Sequence, residues 1–357
     1  MVVIVGAVFQ VASAAGGYHL LITVDVKSRD GRWDYVSVDS VNRRVYCSHE
    51  FETVVLDADS GKVIAKIAAP KSDPSTPFMG VHYVAIANDL GRGFIANGLA
   101  GTSTIIDLKT LKELGEVKLT GKDPNAIIYD AATQRVFAFN EASDNATVFD
   151  AKNGKVVATI ALDGQPAFAA SDDKGHIFVN LKDRSAVLRI DSRTLVAGEK
   201  WPIQACDGPY NETMAIDKKN ERLFVGCRPD YRQMLHPPGP RPNRVMVILD
   251  ANTGRVITTL PIGGNPDQAA FDPGTGLAFS SNGEGNVTVI KEESPDKFRV
   301  LETVTTEPGT MRLAVDLKTH KLFVPNADPG PTPPPTAENP SPPPSLTKNF
   351  RVLILGE

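Results

Sequence analysis

Three cysteines, 7% aromatic residues and a formal net charge of −4 leave several common functions little to work with. With 38 basic against 42 acidic residues there is no general attraction for polyanions, so nucleic acid is not an expected partner. No Walker or dinucleotide fingerprint is present, and Gly274-Thr-Gly276 reads as a hairpin turn, so no nucleotide cofactor is expected. No G-x-S-x-G elbow presents a serine nucleophile. No His-x-His, His-x-x-x-His or cysteine pair stands at metal-ligand spacing.

Long apolar runs are also missing, and no transmembrane segment is expected. The exception in character is Met1 to Ala14, which carries no charge and ends on Ala12-Ser13-Ala14. An apolar stretch this short before an A-x-A site reads as a signal peptide over residues 1–14, which implies a periplasmic or secreted chain. It lacks a basic leading region. The alternative reading is an N-terminal strand, which Gly16-Gly17 would interrupt. In an exported chain three cysteines suggest one disulfide and one thiol. Cys47 follows Val45 and Tyr46 as a small core residue, whereas Cys206 and Cys227 flank two strands and can close a loop. A bridge of that size contributes roughly 3 kcal/mol through loop entropy.

What the sequence does have is a beat. Seven times an apolar run ends near an Asp and an aromatic residue opens a second apolar run: Tyr46, Phe94, Phe137, Phe178, Phe224, Phe279 and Phe323. A recurrence of roughly 40 to 50 residues, rich in β-branched residues and Gly or Asn turns, marks a β-propeller with one repeat per blade. The clearest repeat holds Ala126 to Asp130, Arg135 to Asn140, Ala146 to Asp150 and Lys155 to Ile160, each a strand bounded by turn residues. The third turn recurs as Asp57-Ala-Asp-Ser-Gly61, Asp150-Ala-Lys-Asn-Gly154 and Asp250-Ala-Asn-Thr-Gly254. There the Gly supplies a positive φ and the Asp side chain bonds the loop backbone.

The fold class expected is therefore all-β: a seven-bladed β-propeller of four-stranded antiparallel blades, one domain over residues 18–357. The seventh repeat, from Met311, has only three strands, and His19 to Val26 is left over at the other end. The N-terminal strand is expected to close the last blade, leaving no long open edge. Two insertions break the period at the same strand junction: residues 228–243 in blade five and the Pro-dense 329–344 in blade seven. They read either as a recognition surface on one face or as tolerated insertions.

Segments such as Asp150-Ala-Lys-Asn-Gly-Lys-Val-Val-Ala-Thr-Ile160 and Asp250-Ala-Asn-Thr-Gly-Arg-Val-Ile-Thr-Thr-Leu260 resemble the repeat of YVTN-type β-propellers, the YncE-like bacterial proteins. Arg32-Trp33-Asp34-Tyr35 and Asp272 to Gly283 resemble the same group, and the likeness covers nearly all of the chain after the leader. It implies a seven-bladed, usually exported propeller, related in fold to the heavy subunit of quinoprotein amine dehydrogenases and to lactonase-type propellers. That group has no agreed catalytic motif to carry across.

Residues entering each innermost strand and leaving each second strand converge at one mouth of a propeller's axis. Asn97, Asn140, Asn180, Asn282 and Asn326 recur at one repeat position and read as caps on loop backbone. The departures from the repeat are the candidate ligand-binding set: Asp34, His49, His82, Asn125, Glu141, Glu212, Arg228, Asp267 and Arg312. His49 and His82 with a carboxylate could ligate a divalent metal ion. Two functions are compatible with this set. One is an exported scaffold that binds a small ligand or a protein partner at the funnel face. The other is a metal-assisted hydrolase or lyase of the lactonase kind.

Overall fold

Each repeat folds because its apolar runs alternate with residues that can turn. The computed structural model describes residues 17–28, 30–71, 80–206, 211–228, 244–331, 334 and 348–357. Residues 1–14, most of the insertion at 228–243 and most of that at 329–344 lie outside the described residues. Among the described residues the chain forms seven four-stranded antiparallel sheets arranged as blades, and the one helical piece is the single turn Glu141–Ser143. No helix of the described residues is long and apolar enough to cross a membrane.

Blade one runs Trp33–Asp39, Arg44–His49, Glu52–Asp57 and Val63–Ala68, and its strands pair in chain order. The next five blades repeat this pattern. The seven aromatics of the beat all sit in second strands and are 0 to 2% exposed, as packing between neighbouring blades requires. The third turns form as their residues dictate: Gly61, Gly154 and Gly254 have φ of 70, 73 and 70°. Asp150 Oδ1 accepts the N–H groups of Lys152 and Asn153 at 2.9 and 3.0 Å, and Asp250 Oδ1 those of Asn252 and Thr253 at 3.0 Å each.

Blade seven is assembled from both ends of the chain, in the order His19–Asp25, Lys348–Gly356, Leu322–Asp328 and Ala314–Val315. Tyr18 and Val26, on either side of the N-terminal strand, are 5% and 4% exposed. Cys206 and Cys227 form a disulfide with Cα atoms 5.4 Å apart, and Cys47 is a buried free thiol. Three of the five recurrent asparagines cap something other than loop backbone. Asn97, Asn140 and Asn282 donate across to the third strand, to Thr104, Thr147 and Thr288 Oγ1 at 2.9, 2.9 and 3.0 Å. The other two reach backbone carbonyls: Asn180 that of Thr213 at 3.0 Å, and Asn326 that of Pro308 at 3.5 Å, besides Glu307 Oε2 at 2.8 Å.

Around the axis the innermost strands share one register, counted back from Asp39, Ala87, Asp130, Asp172, Asp217, Asp272 and Asp316. Four residues before these stand Tyr35, Tyr83, Ala126, Phe168, Thr213, Gln268 and Arg312. The three aromatic rings meet edge to face, with centroids 5.0 to 5.8 Å apart. Gln268 reaches from blade six to blade one, where its Nε2 donates to Val36 O at 2.9 Å and its Oε1 accepts from Val36 N–H at 3.4 Å. Beyond this layer runs a channel of about 350 Å³ lined by Ile86, Ile128, Ala170, Ile216, Ala270 and Val315 among others.

Candidate functional site

One residue further toward the funnel face, the register holds Asp34, His82, Asn125, Glu212 and Asp267. Side chains at this position leave the apolar layer, and charge here is too deep to be fully hydrated, so each ion needs a partner. The partners come from neighbouring blades. His82 Nδ1 lies 2.5 Å from Asp34 Oδ2 and its Nε2 lies 3.1 Å from Asp123 Oδ1. Arg312 Nη2 is 2.9 Å from both Asp34 Oδ1 and Asp267 Oδ2. Arg228 Nη1 is 2.5 Å from Asp267 Oδ1, and its Nε is 3.7 Å from Glu212 Oε2. Lys182 faces Glu212 and donates to Glu141 Oε1 at 2.5 Å. Glu141 also accepts from Asn125 Nδ2 and from Gln165 Nε2, and its backbone N–H donates to Asp123 O at 2.9 Å.

That last bond closes a circuit. Starting from Asp123 in blade three, the sequence of charges is Asp123, His82, Asp34, Arg312, Asp267, Arg228, Glu212, Lys182 and Glu141, back in blade three. Acid and base alternate along the path from Asp123 to Glu141, the two end acids meet only through that backbone bond, and all seven blades contribute.

Burial alone would strip the charge from His82, but the carboxylates of Asp123 and Asp34 outweigh it and push its pKa from 6.5 up to about 10. His82 is therefore an imidazolium at neutral pH. Because its folded value is raised, it contributes stability that is complete below about 6.5 and is lost as pH rises through about 10. The urea midpoint is expected to fall between pH 7 and pH 10, and His82→Gln to flatten that part of the profile. An unchanged profile in the variant would show that the ring does not depend on this charge. Glu212, 3% exposed, is pushed above the usual carboxylate range, by burial first and by Asp267 and Glu141 as well, against the pull of Lys182 and Arg228.

Eight of the nine residues singled out from sequence lie in the ring or donate directly to it. The ninth, His49, does not share its surroundings. It is fully buried, its ring 4.2 Å from that of Trp33 and 5.6 Å from that of Phe51, with Gly31 pressed so close that a Cβ there would stand 2.3 Å from Nε2. His82 commits both ring nitrogens to carboxylates, and among the described residues no three His, Cys, Asp or Glu side chains are grouped as metal ligands. The geometry does not assemble a two-histidine centre. Asp123 and Lys182 escaped sequence reasoning. Asp123 lies just outside the innermost strand, before Pro124, and Lys182 lies two residues past Asn180, one later than Glu141 past Asn140. The signal available was a lysine directly after the apolar run His176 to Leu181; in the structure it is only 7% exposed.

No protein-family model and no curated protein sequence matches the chain. Among solved structures it is similar to a chain of the mitotic checkpoint complex, at 12% identity and a TM-score of 0.72, over 99% of this chain and 97% of that one. It is also similar to the Pan2 WD40 domain of Neurospora crassa, at 12% identity and a TM-score of 0.70, over 95% of each chain. The chain is a seven-bladed β-propeller with WD40-like neighbours. At such identity the likeness is one of fold, and function has to be argued from the charged ring.

Proposed function

We propose that this propeller is an exported, non-catalytic binding scaffold of the YncE-like kind, which engages a small ligand or a protein partner at the funnel face. The observation that carries this reading is the circuit of paired charges around the axis, to which all seven blades contribute. It lies toward the funnel face, and its arginines retain 18% and 22% side-chain exposure while the carboxylates behind them keep 3 to 4%. A preorganised polar floor of this sort binds without first having to be ordered. The fold supports the reading, since one neighbour comes from a multiprotein complex. Export is inferred from residues 1–14 and the repeat wording.

The test is positional. A photo-crosslinking amino acid at Gln165, on the funnel face, is expected to give adducts in intact-mass spectra of protein recovered from producing cells. The same probe at Thr253, in a hairpin turn on the opposite face, is expected to give none. Equal labelling from both positions would remove the funnel face from consideration. Recovery of the chain inside the cell with residues 1–14 intact would remove export.

A further inference from the structure

The cations of the ring are not equally used. Arg312 spends one terminal nitrogen on Asp34 and Asp267, and its buried Nε has no acceptor. Arg228 spends Nη1 on Asp267, while its Nε has no hydrogen-bond partner, and neither has Glu212 Oε2 at 3.7 Å. A guanidinium carries five N–H donors, so both arginines hold N–H groups without acceptors among the described residues. Asp267 has one oxygen on each arginine and is 3% exposed. It fixes the pair from behind; the Nε groups are buried, and the terminal nitrogens that hold no acceptor among the described residues, Arg228 Nη2 and Arg312 Nη1, belong to side chains that keep 18% and 22% exposure. Two partly exposed guanidiniums held on a buried carboxylate, each with a terminal nitrogen uncommitted, form a receptor for a second carboxylate.

We propose that Arg228 and Arg312 together bind a carboxylate group, carried either by a small organic acid or by an acidic residue or C-terminus of a protein partner. This rests on the funnel-face reading above and narrows it to one chemistry. A singly charged oxyanion fits better than a dianion such as phosphate. The ring already holds five acids against four bases, so each added negative charge has to be offset. The group placed to offset one charge is Glu212, faced by Lys182 and Arg228 on one side and by Asp267 and Glu141 on the other, and held above the usual carboxylate range by its burial. An arriving carboxylate competes with Glu212 for Arg228, so Glu212 takes up a proton as the ligand binds.

Titration calorimetry on the full chain with acetate, acetamide, inorganic phosphate and a short glutamate-containing peptide, at pH 6 and pH 8, tests this. Acetate or the peptide is expected to bind, acetamide and phosphate much more weakly, with affinity falling by up to tenfold per pH unit, the limit for one linked proton. Binding of acetate assigns the site to free acids, and binding of the peptide alone assigns it to a partner. Arg228→Gln is expected to weaken binding at least tenfold. Glu212→Gln, which keeps shape and hydrogen bonding, is expected to bind with no pH slope even if the arginine variant fails to fold. Acetamide binding as well as acetate, tighter binding of phosphate, or no binding of either carboxylate overturns the proposal. Crosslinks from Gln165 in the face of such a result would leave the funnel-face reading standing.

Discussion

Deletion of the described N-terminal residues through Lys27 is expected to lower the thermal midpoint of the whole propeller by about 10 °C or more, and to broaden its single transition. The strand His19–Asp25 pairs along Lys348–Gly356, from His19 opposite Gly356 to Asp25 opposite Arg351. Val26 N–H adds a bond to Phe350 O at 2.9 Å. Tyr18 packs edge-on to Phe279 at 5.2 Å, and its hydroxyl donates to His320 O at 2.7 Å. Burial of Tyr18 and Val26 contributes roughly 1.5 to 3 kcal/mol each, before any strand pairing is counted. Total stability of a domain is about 5–15 kcal/mol, and a loss of 1 kcal/mol lowers the midpoint of a large domain by about 2–4 °C. Since blade seven has no other fourth strand among the described residues, the loss is not local: the ring opens between its first and last blades. Scanning calorimetry decides the matter, and an unshifted transition would mean that closure rests on blade-to-blade packing alone.

Asp34→Ala is expected to cost about 3–5 kcal/mol, read as a lower urea midpoint at pH 7. Asp34 is 4% exposed and holds two cations, His82 at 2.5 Å and Arg312 at 2.9 Å. Its removal leaves an imidazolium and a guanidinium with too few counter-charges in a place where water hydrates them poorly. The penalty is mostly that of the stranded cations rather than the worth of the bonds, so His82→Gln in the same chain is expected to restore part of it. A loss below about 1 kcal/mol would place these ions in the class of exposed surface pairs.

The fold was legible because its signals are local. The beat of Tyr46 to Phe323 marks the residue that each blade packs, and the Asp-to-Gly turns need only a few consecutive residues. Even the closure by His19 to Val26 could be read, because three strands in the last repeat and one spare at the start leave a single arrangement. The ring was half legible. Departures from symmetry pointed at Asp34, His82 and Glu212, but such a departure has two causes, and His49 belongs to the other one: it fills space beside Trp33. The pairings themselves join residues such as Asp34 and Arg312, 278 positions apart, and no spacing rule reaches that far. The asparagines were placed correctly in the repeat, yet given backbone partners when three of them serve threonines on the third strand.

The Gln268 amide answers both backbone groups of Val36 from across the axis, as a neighbouring strand would. An N–H on the open edge of an innermost strand normally exchanges with solvent, and this one is masked, so in deuterium the Val36 amide should lag behind the other edge amides of its strand. The same crossbar and the three rings beside it make the tube a well rather than a pipe. A solute entering from the hairpin side meets a floor before it meets the charges, and the two faces of the disk can be occupied, blocked or titrated independently.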